Sequence, residues 1–260
     1  MGYEALRRVT TKVAMTVAAA ALIAPSLSMP AGASTSNPYS GSGFDESYPQ
    51  CSATATPSGF AIIGVSHGRP FTSNTCAASG WKAAGTSSKS LYFNTGYALA
   101  YAKSETTTCK AKAASMSFSA TGHQLSALQT AWAIGCSEAD VAYLSAPGTP
   151  AAWWADVETG NSWSTNTSLN QATIDGIVTE MNSLVNNLVP VGIYSSPSMW
   201  DSIVGTSYVN GAIAADWQAG ASICPSSGFT LSSSSYAPVW LVQTGTTVVK
   251  GTTFDTDLAC

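Results

Sequence analysis

Apolar residues along this chain fall into short runs separated by segments rich in Ser, Gly, Thr and Pro. "FAIIGVS" (60–66) has no polar alternation and favours β-branched residues, and "SLYFNTG" (90–96), "WWADVE" (153–158) and "VPVGIYSS" (189–196) share that character. Runs this short with both faces apolar predict strands covered on both sides, as in a parallel sheet. "GFD" (43–45), "AIAADW" (212–217), "PVWLVQT" (238–244) and "TFDTD" (253–257) bring the strand candidates to eight. Between them the apolar period changes. "NQATIDGIVTEMNSLVNNL" (170–188) places Ile174, Ile177, Val178, Met181, Leu184, Val185 and Leu188 on one broad helical face. "QLSALQTAWAIG" (124–135) has helical spacing as well, with His123 at its start, and Pro197 opens a short helix to Val204.

Strands alternating with helices imply a parallel sheet with helices outside, and eight strands suggest a closed barrel. An open doubly wound sheet is the alternative, but no Gly-rich phosphate loop follows the first strand. Helical patterning thins after residue 205, so the barrel is expected to be irregular. No internal repeat and no long linker interrupts it.

The first 33 residues read differently. Arg7, Arg8 and Lys12 precede an apolar run, Val13 to Ala24, and Ala31-Gly32-Ala33 forms a small-x-small cleavage site. The expected organisation is a signal peptide at 1–33, a flexible Ser/Gly/Pro/Asn-rich arm at 34–42, and one barrel domain at 43–260. No other segment approaches the ~20 apolar residues of a membrane span, so a secreted, extracellular protein with no membrane association after cleavage is expected. Residues 34–260 keep seven Lys and Arg against thirteen Asp and Glu, a net charge of −6. That balance argues against nucleic acid or anionic lipid as a partner, and a monomer is expected.

Six cysteines, Cys51, Cys76, Cys109, Cys136, Cys224 and Cys260, lie in this mature region. An even count in an exported chain reads as disulfides. Of the fifteen possible connectivities, the sequential one (51–76, 109–136, 224–260) closes the shortest loops and is favoured. A zinc site is disfavoured, since no Cys-x-x-Cys pair occurs and the two histidines, His67 and His123, are far apart. No metal and no organic cofactor is expected.

Only 9% of the chain is charged, so acids inside apolar runs stand out. Catalytic groups of a parallel barrel sit at the C-terminal ends of its strands. Asp45 ends the first strand candidate, Asp156 and Glu158 the fourth, and Asp216 the sixth, while Asp255 and Asp257 lie in the eighth. Asp156 and Glu158 share a strand face. Two carboxylates in a partly dry site do not ionise independently, so one remains a proton donor while the other carries charge. Glycoside hydrolysis needs that division. Trp153, Trp154, Trp163, Tyr194, Trp217 and Trp240 lie in or beside strand ends, where rings can pack on sugars. Structural ion pairs with Arg69 or a lysine, and tryptophans serving as core, are the plain alternatives. His67 fits a ligand contact or a structural role equally well. A Ser-His-Asp triad is disfavoured, because no G-x-S-x-G elbow occurs.

"GFDESYPQ", "ADVE", "VGIYSS", "VWLVQ" and the late "FDTDL" occur in that order over residues 43–258. Together they resemble the family 25 glycoside hydrolases, and the Cys-containing insertions and closing cysteine look like a secreted actinobacterial subgroup. The resemblance implies an α/β fold: an irregular (β/α) TIM-like barrel of five βα units followed by three strands. It implies an N-acetylmuramidase (lysozyme) activity on β-1,4 bonds of bacterial cell-wall peptidoglycan. By motif, Glu158 matches the general acid and Asp156 its partner, with Asp45 at the floor of the site. These three are the expected catalytic residues. Asp216, Asp255, Trp154, Tyr194, Trp217 and Gln243 are the expected substrate-binding residues. Asp257 stands where the family often has Asn, and Gln243 is followed by Thr244 where the family has tyrosine. A non-catalytic carbohydrate- or wall-binding barrel is the rival reading, distinguished by a basic side chain neutralising the acidic pair. A purely structural secreted protein would have a closed barrel mouth with Trp154 and Trp217 buried.

Overall fold

The computed structural model describes residues 36–233 and 235–260. The expected signal peptide and the first two residues of the arm lie outside the described residues. All eight expected strands form. They are β1 (Ser42–Glu46), β2 (Phe60–Gly64), β3 (Lys89–Asn94), β4 (Trp153–Asp156), β5 (Val191–Ser195), β6 (Asp216–Ala219), and, after a small hairpin of β7 (Leu231–Ser232) and β8 (Ser235–Tyr236), the long β9 (Val239–Val249) and β10 (Thr252–Ala259). The eight close into a barrel in the order β1-β10-β9-β6-β5-β4-β3-β2. Pairing is parallel from β1 through β6 and on to β9, whereas β10 runs antiparallel to both β9 and β1.

Helices cover the parallel part: α1 (Ala77–Ala83), α2 (Thr107–Ala114), α3 (Gly122–Leu144), α4 (Thr167–Leu184) and α5 (Pro197–Val204). The crossover after β1 carries a single 3-10 turn, Tyr48–Gln50, instead of an α-helix. Pro197 sits in the first turn of α5, and the Ser196 hydroxyl accepts from Met199 N at 3.3 Å, which caps the helix start. The sixth strand is shifted from its expected span of 212–217 to 216–219, so Asp216 opens β6 and does not end it.

Strand alternation divides the core in two. Outward residues such as Phe44, Ile63, Leu91, Phe93, Trp153 and Ile193 pack under the helices with Ile174, Ile177, Val178 and Met181 of α4. Inward residues fill the barrel, with Ile62, Trp154, Trp217, Trp240 and Leu241 forming a second cluster. The Trp154 ring has room because Gly192 lies opposite: a Cβ there would stand 2.2 Å from the indole.

The described part of the arm packs against the barrel. Tyr39 is buried, packs on Phe60 and Trp154, and shares a short hydrogen bond with Ser90, while Trp154 Nε1 donates to the Tyr39 hydroxyl at 2.8 Å. Asn37 Nδ2 donates to Trp240 O at 3.1 Å. One aromatic residue with two polar partners inside the barrel outweighs the loop-like composition around it, and it stoppers the N-terminal end of the strands.

Three disulfides, Cys51–Cys76, Cys109–Cys136 and Cys224–Cys260, follow the sequential pairing. Each closes a loop whose restraint is worth about 2–4 kcal/mol. Among the described residues no helix is long and apolar enough to cross a membrane.

Candidate active site

The C-terminal ends of the strands open into a cavity of about 190 Å³, lined by acids and their polar neighbours. Inward positions alternate along each strand. Along β4 and just past its end the series Trp154, Asp156, Glu158 climbs from the barrel interior to the opening. Asp156 is the last residue of the strand and is buried, while Glu158 is partly exposed. Their carboxyl groups are within hydrogen-bonding reach of each other.

The backbone between them is pinned from several sides. Thr95 Oγ1 donates to Asp156 O at 2.6 Å, and Ser195 Oγ donates to Val157 O at 2.6 Å. Trp163 Nε1 and Asn161 N both donate to Glu158 O, at 2.9 and 3.0 Å. A catalytic carboxylate benefits from such fixing, since misplacement by about 1 Å costs up to ~100-fold in rate.

Asp45 faces the same cavity from β1. Gln243 Nε2 donates to its Oδ2 at 3.0 Å, and the Tyr194 hydroxyl donates to Gln243 Oε1 at 2.8 Å. Asp255 approaches from β10, directly opposite Asp45 in the ladder. Tyr92, Asn94 and Trp217 complete the inner wall, and Tyr48 with Gly68 forms the rim.

Among the described residues no lysine, arginine or histidine lines the cavity. The ion pairs among the described residues, Lys110–Glu105 and Lys112–Glu180, involve none of its acids. With no counter-charge, burial dominates the titration. It raises the Glu158 carboxyl above the ordinary range, opposed by the hydrogen bond from Asp156 and reinforced by the Asp255 charge. Asp156 is raised well above its ordinary value, by burial first and then by the Glu158 charge. Asp45 is pushed up to about 7 by burial and the Asp255 charge. Two amides favour the ionised form of Asp156: Asn94 Nδ2 donates to its Oδ2, and Asn161 Nδ2 reaches Oδ1 at 3.5 Å.

The expected site residues therefore divide. Glu158, Asp156, Asp45, Asp255, Tyr194, Trp217 and Gln243 are brought together at one cavity. Asp216 is not. It points away from the barrel interior, accepting from Phe229 N at 2.6 Å, Thr230 N at 3.0 Å and Thr230 Oγ1 at 2.7 Å. The shifted start of β6 puts Ala215 and Trp217 inside and Asp216 outside. Trp154 does not reach the opening either, since Asp156 lies above it on the same strand face. Trp154 and Trp217 are both buried, at 0% and 1% exposure, yet the mouth is open. Of the two, only Trp217 contributes to the cavity wall. Trp153 and Trp240 are core as well.

Several cavity residues had no sequence-based assignment. Asn94 and Tyr92 become visible only once β3 is set beside β4, in the register Asn94↔Asp156 and Tyr92↔Trp154, and Asn161 reaches back to Asp156 from the segment after β4. Asp257 lies inside the barrel beneath Asp45, bonded to Trp217 Nε1 at 2.8 Å. His67 is exposed at the rim and stacks on Tyr48 with ring centroids 4.0 Å apart.

The closed β/α barrel thus gathers its carboxylates at the C-terminal mouth, the end where parallel barrels carry their sites. Comparison with solved structures supplies the closer likeness. The bacterial lysozyme from Streptomyces coelicolor superposes with a TM-score of 0.51 over 85% of this chain and 92% of its own, at 15% identity. A family GH25 lysozyme from Aspergillus fumigatus gives 0.51 over 84% and 92%, at 15% identity. The chain thus has the fold of the family 25 glycoside hydrolases. The sequence matches no family model and no curated protein.

Proposed function

We propose that this is a secreted glycoside hydrolase acting on bacterial cell-wall glycan, cleaving β-1,4 bonds of peptidoglycan in the manner of a muramidase. The observation that carries the reading is the pairing of Asp156 with Glu158 in a cavity that no basic side chain lines among the described residues. Glu158 is the more exposed of the two and holds the proton that a leaving glycosidic oxygen needs. Asp156 takes the charged role beside the positive centre that develops at the sugar, either directly or through a 2-acetamido group; its two amide donors favour that form against the burial and the Glu158 charge that raise its carboxyl. Asp45 and Asp255 add negative potential at the floor and wall. Tyr194, Trp217 and Gln243 shape the sugar subsite. Among the described residues no basic side chain neutralises the acidic pair, which disfavours a binding-only barrel, and the open mouth disfavours a purely structural one. The disulfides fit an oxidising, extracellular setting, and the assignment of 1–33 as a cleaved leader belongs to the same proposal.

The test is reducing-sugar release from purified peptidoglycan by the protein and its Glu158→Gln variant. Loss of a general acid is expected to cost ~10²–10⁴ in rate with thermal stability retained. Turnover by Glu158→Gln at the parent rate would remove Glu158 from the mechanism. Wall binding without cleavage by either protein would identify a binding module.

A further inference from the structure

Asp257 has no counterpart among the roles above, yet it is fully buried inside the barrel directly under the cavity. Its Oδ1 accepts from Trp217 Nε1 at 2.8 Å. Its Oδ2 is buried with no donor among the described residues. On the β1–β10 ladder Asp257 lies opposite Gly43, two positions below the Asp45–Asp255 pair, and the carboxyl within its hydrogen-bonding reach is that of Asp45. Asp45 in turn already accepts from Gln243 through Oδ2. Two buried carboxylates in contact, with no cation beside them among the described residues, do not both ionise readily.

We infer that Asp257 is a positioning residue: its protonated carboxyl donates through Oδ2 to Asp45, so that one proton serves both groups and Asp45 is held charged at the cavity floor. The arrangement resolves every atom of the pair. Trp217 Nε1–H occupies Asp257 Oδ1, the shared proton occupies Asp257 Oδ2, and Asp45 receives one donor from each side. Losing that proton would leave two adjacent charges, so the proton is retained at neutral pH. The groups facing Asp45 are all acidic or neutral. Asp255 and Asp257 come from β10, Asp156 from β4 and Glu158 from just beyond it, Tyr92 from β3 and Tyr194 from β5, while β2 contributes only Phe60, Ala61, Ile62 and Ile63 to the adjacent ladder. The catalytic consequence of the pair rests on the glycosidase reading; the shared proton itself does not.

The experiment combines ¹³C-carboxyl NMR of aspartate-labelled protein with pH–rate profiles of Asp257→Asn and Asp257→Leu. A protonated aspartic acid signal is expected in the parent at neutral pH and should vanish in both variants. Asn keeps a donor for Asp45 and an acceptor for Trp217, so Asp257→Asn should retain activity within about threefold. Leu removes the donor. The acid limb of its kcat/KM profile should move to higher pH and kcat should fall about tenfold with KM little changed, the size expected for one hydrogen bond to a charged group. A parent spectrum with both carboxyls ionised overturns the inference, as does an Asp257→Leu profile that superposes on the parent's. If Asp257→Leu fails to fold, the parent spectrum and the Asn variant decide. An inactive parent refutes the glycosidase reading, and the NMR signal then still tests the shared proton.

Discussion

Gln243 donates its side-chain amide to Asp45 at 3.0 Å while accepting the Tyr194 hydroxyl at 2.8 Å. Three strands, β1, β9 and β5, are thereby joined across the top of the barrel by a chain of hydrogen bonds with one polarity. Replacing Gln243 by Leu removes the donor that favours ionised Asp45. The Asp45 carboxyl is then expected to rise further above its present value of about 7, and kcat/KM on peptidoglycan to fall roughly tenfold. A pH–rate profile of Gln243→Leu checks this; an unshifted acid limb would separate Asp45 from the rate.

Trp154 belongs to the barrel interior, so its loss should damage stability and spare catalysis. Trp154→Phe deletes the Nε1 donor to Tyr39 and part of the interior volume, at an expected cost of about 2–3 kcal/mol. KM is expected to remain within twofold of the parent. Denaturant unfolding and steady-state kinetics on the same variant test both halves.

Asp216 is a loop anchor. Asp216→Ala leaves Phe229 N, Thr230 N and the Thr230 hydroxyl without their acceptor, which should cost about 3 kcal/mol or more. A variant with unchanged stability and a raised KM would return Asp216 to the substrate.

The buried acids make stability depend on pH in a definite direction. Burial pushes Asp45, Glu46 and Asp216 each up to about 7, from ordinary values near 4. A carboxyl whose folded value is raised binds its proton more tightly in the native state. Its contribution is complete below about pH 4 and is lost as pH rises through about 7. The melting temperature should therefore be higher at pH 5 than at pH 8, by on the order of 5 °C. Scanning calorimetry across that range gives the sign, and a melting temperature that rises toward pH 8 would contradict it.

The strands could be read from sequence because the parallel part of the barrel is apolar on both faces and leaves an uninterrupted pattern. The acids could be read because a chain so poor in charge rarely places them in such runs. What escaped was register. Whether Asp216 or Trp217 faces inward depends on where β6 begins, and a one-residue change reverses every side chain. Asn94 and Tyr92 acquire their meaning from lying beside β4, which no local pattern encodes. Tyr39 escaped for the opposite reason, because its neighbours are all loop-forming residues and its partners, Ser90 and Trp154, are distant in sequence. Asp257 was visible as a residue, but its proximity to Asp45 follows from the antiparallel return of β10 against β1.

That return sets the order in which the molecule can become competent. Ser42 pairs with Leu258, and Asp45 with Asp255, so the cavity floor is made from the two ends of the barrel domain. A growing chain can pair β1 through β6 as it emerges, but it holds only an open sheet, with Asp45 facing no partner, until β10 arrives. The carboxylate cluster is thus assembled by the last pairing event, between segments of very high sequence separation, which is the slow kind. Before that event the chain carries its acids but no cavity to hold them together.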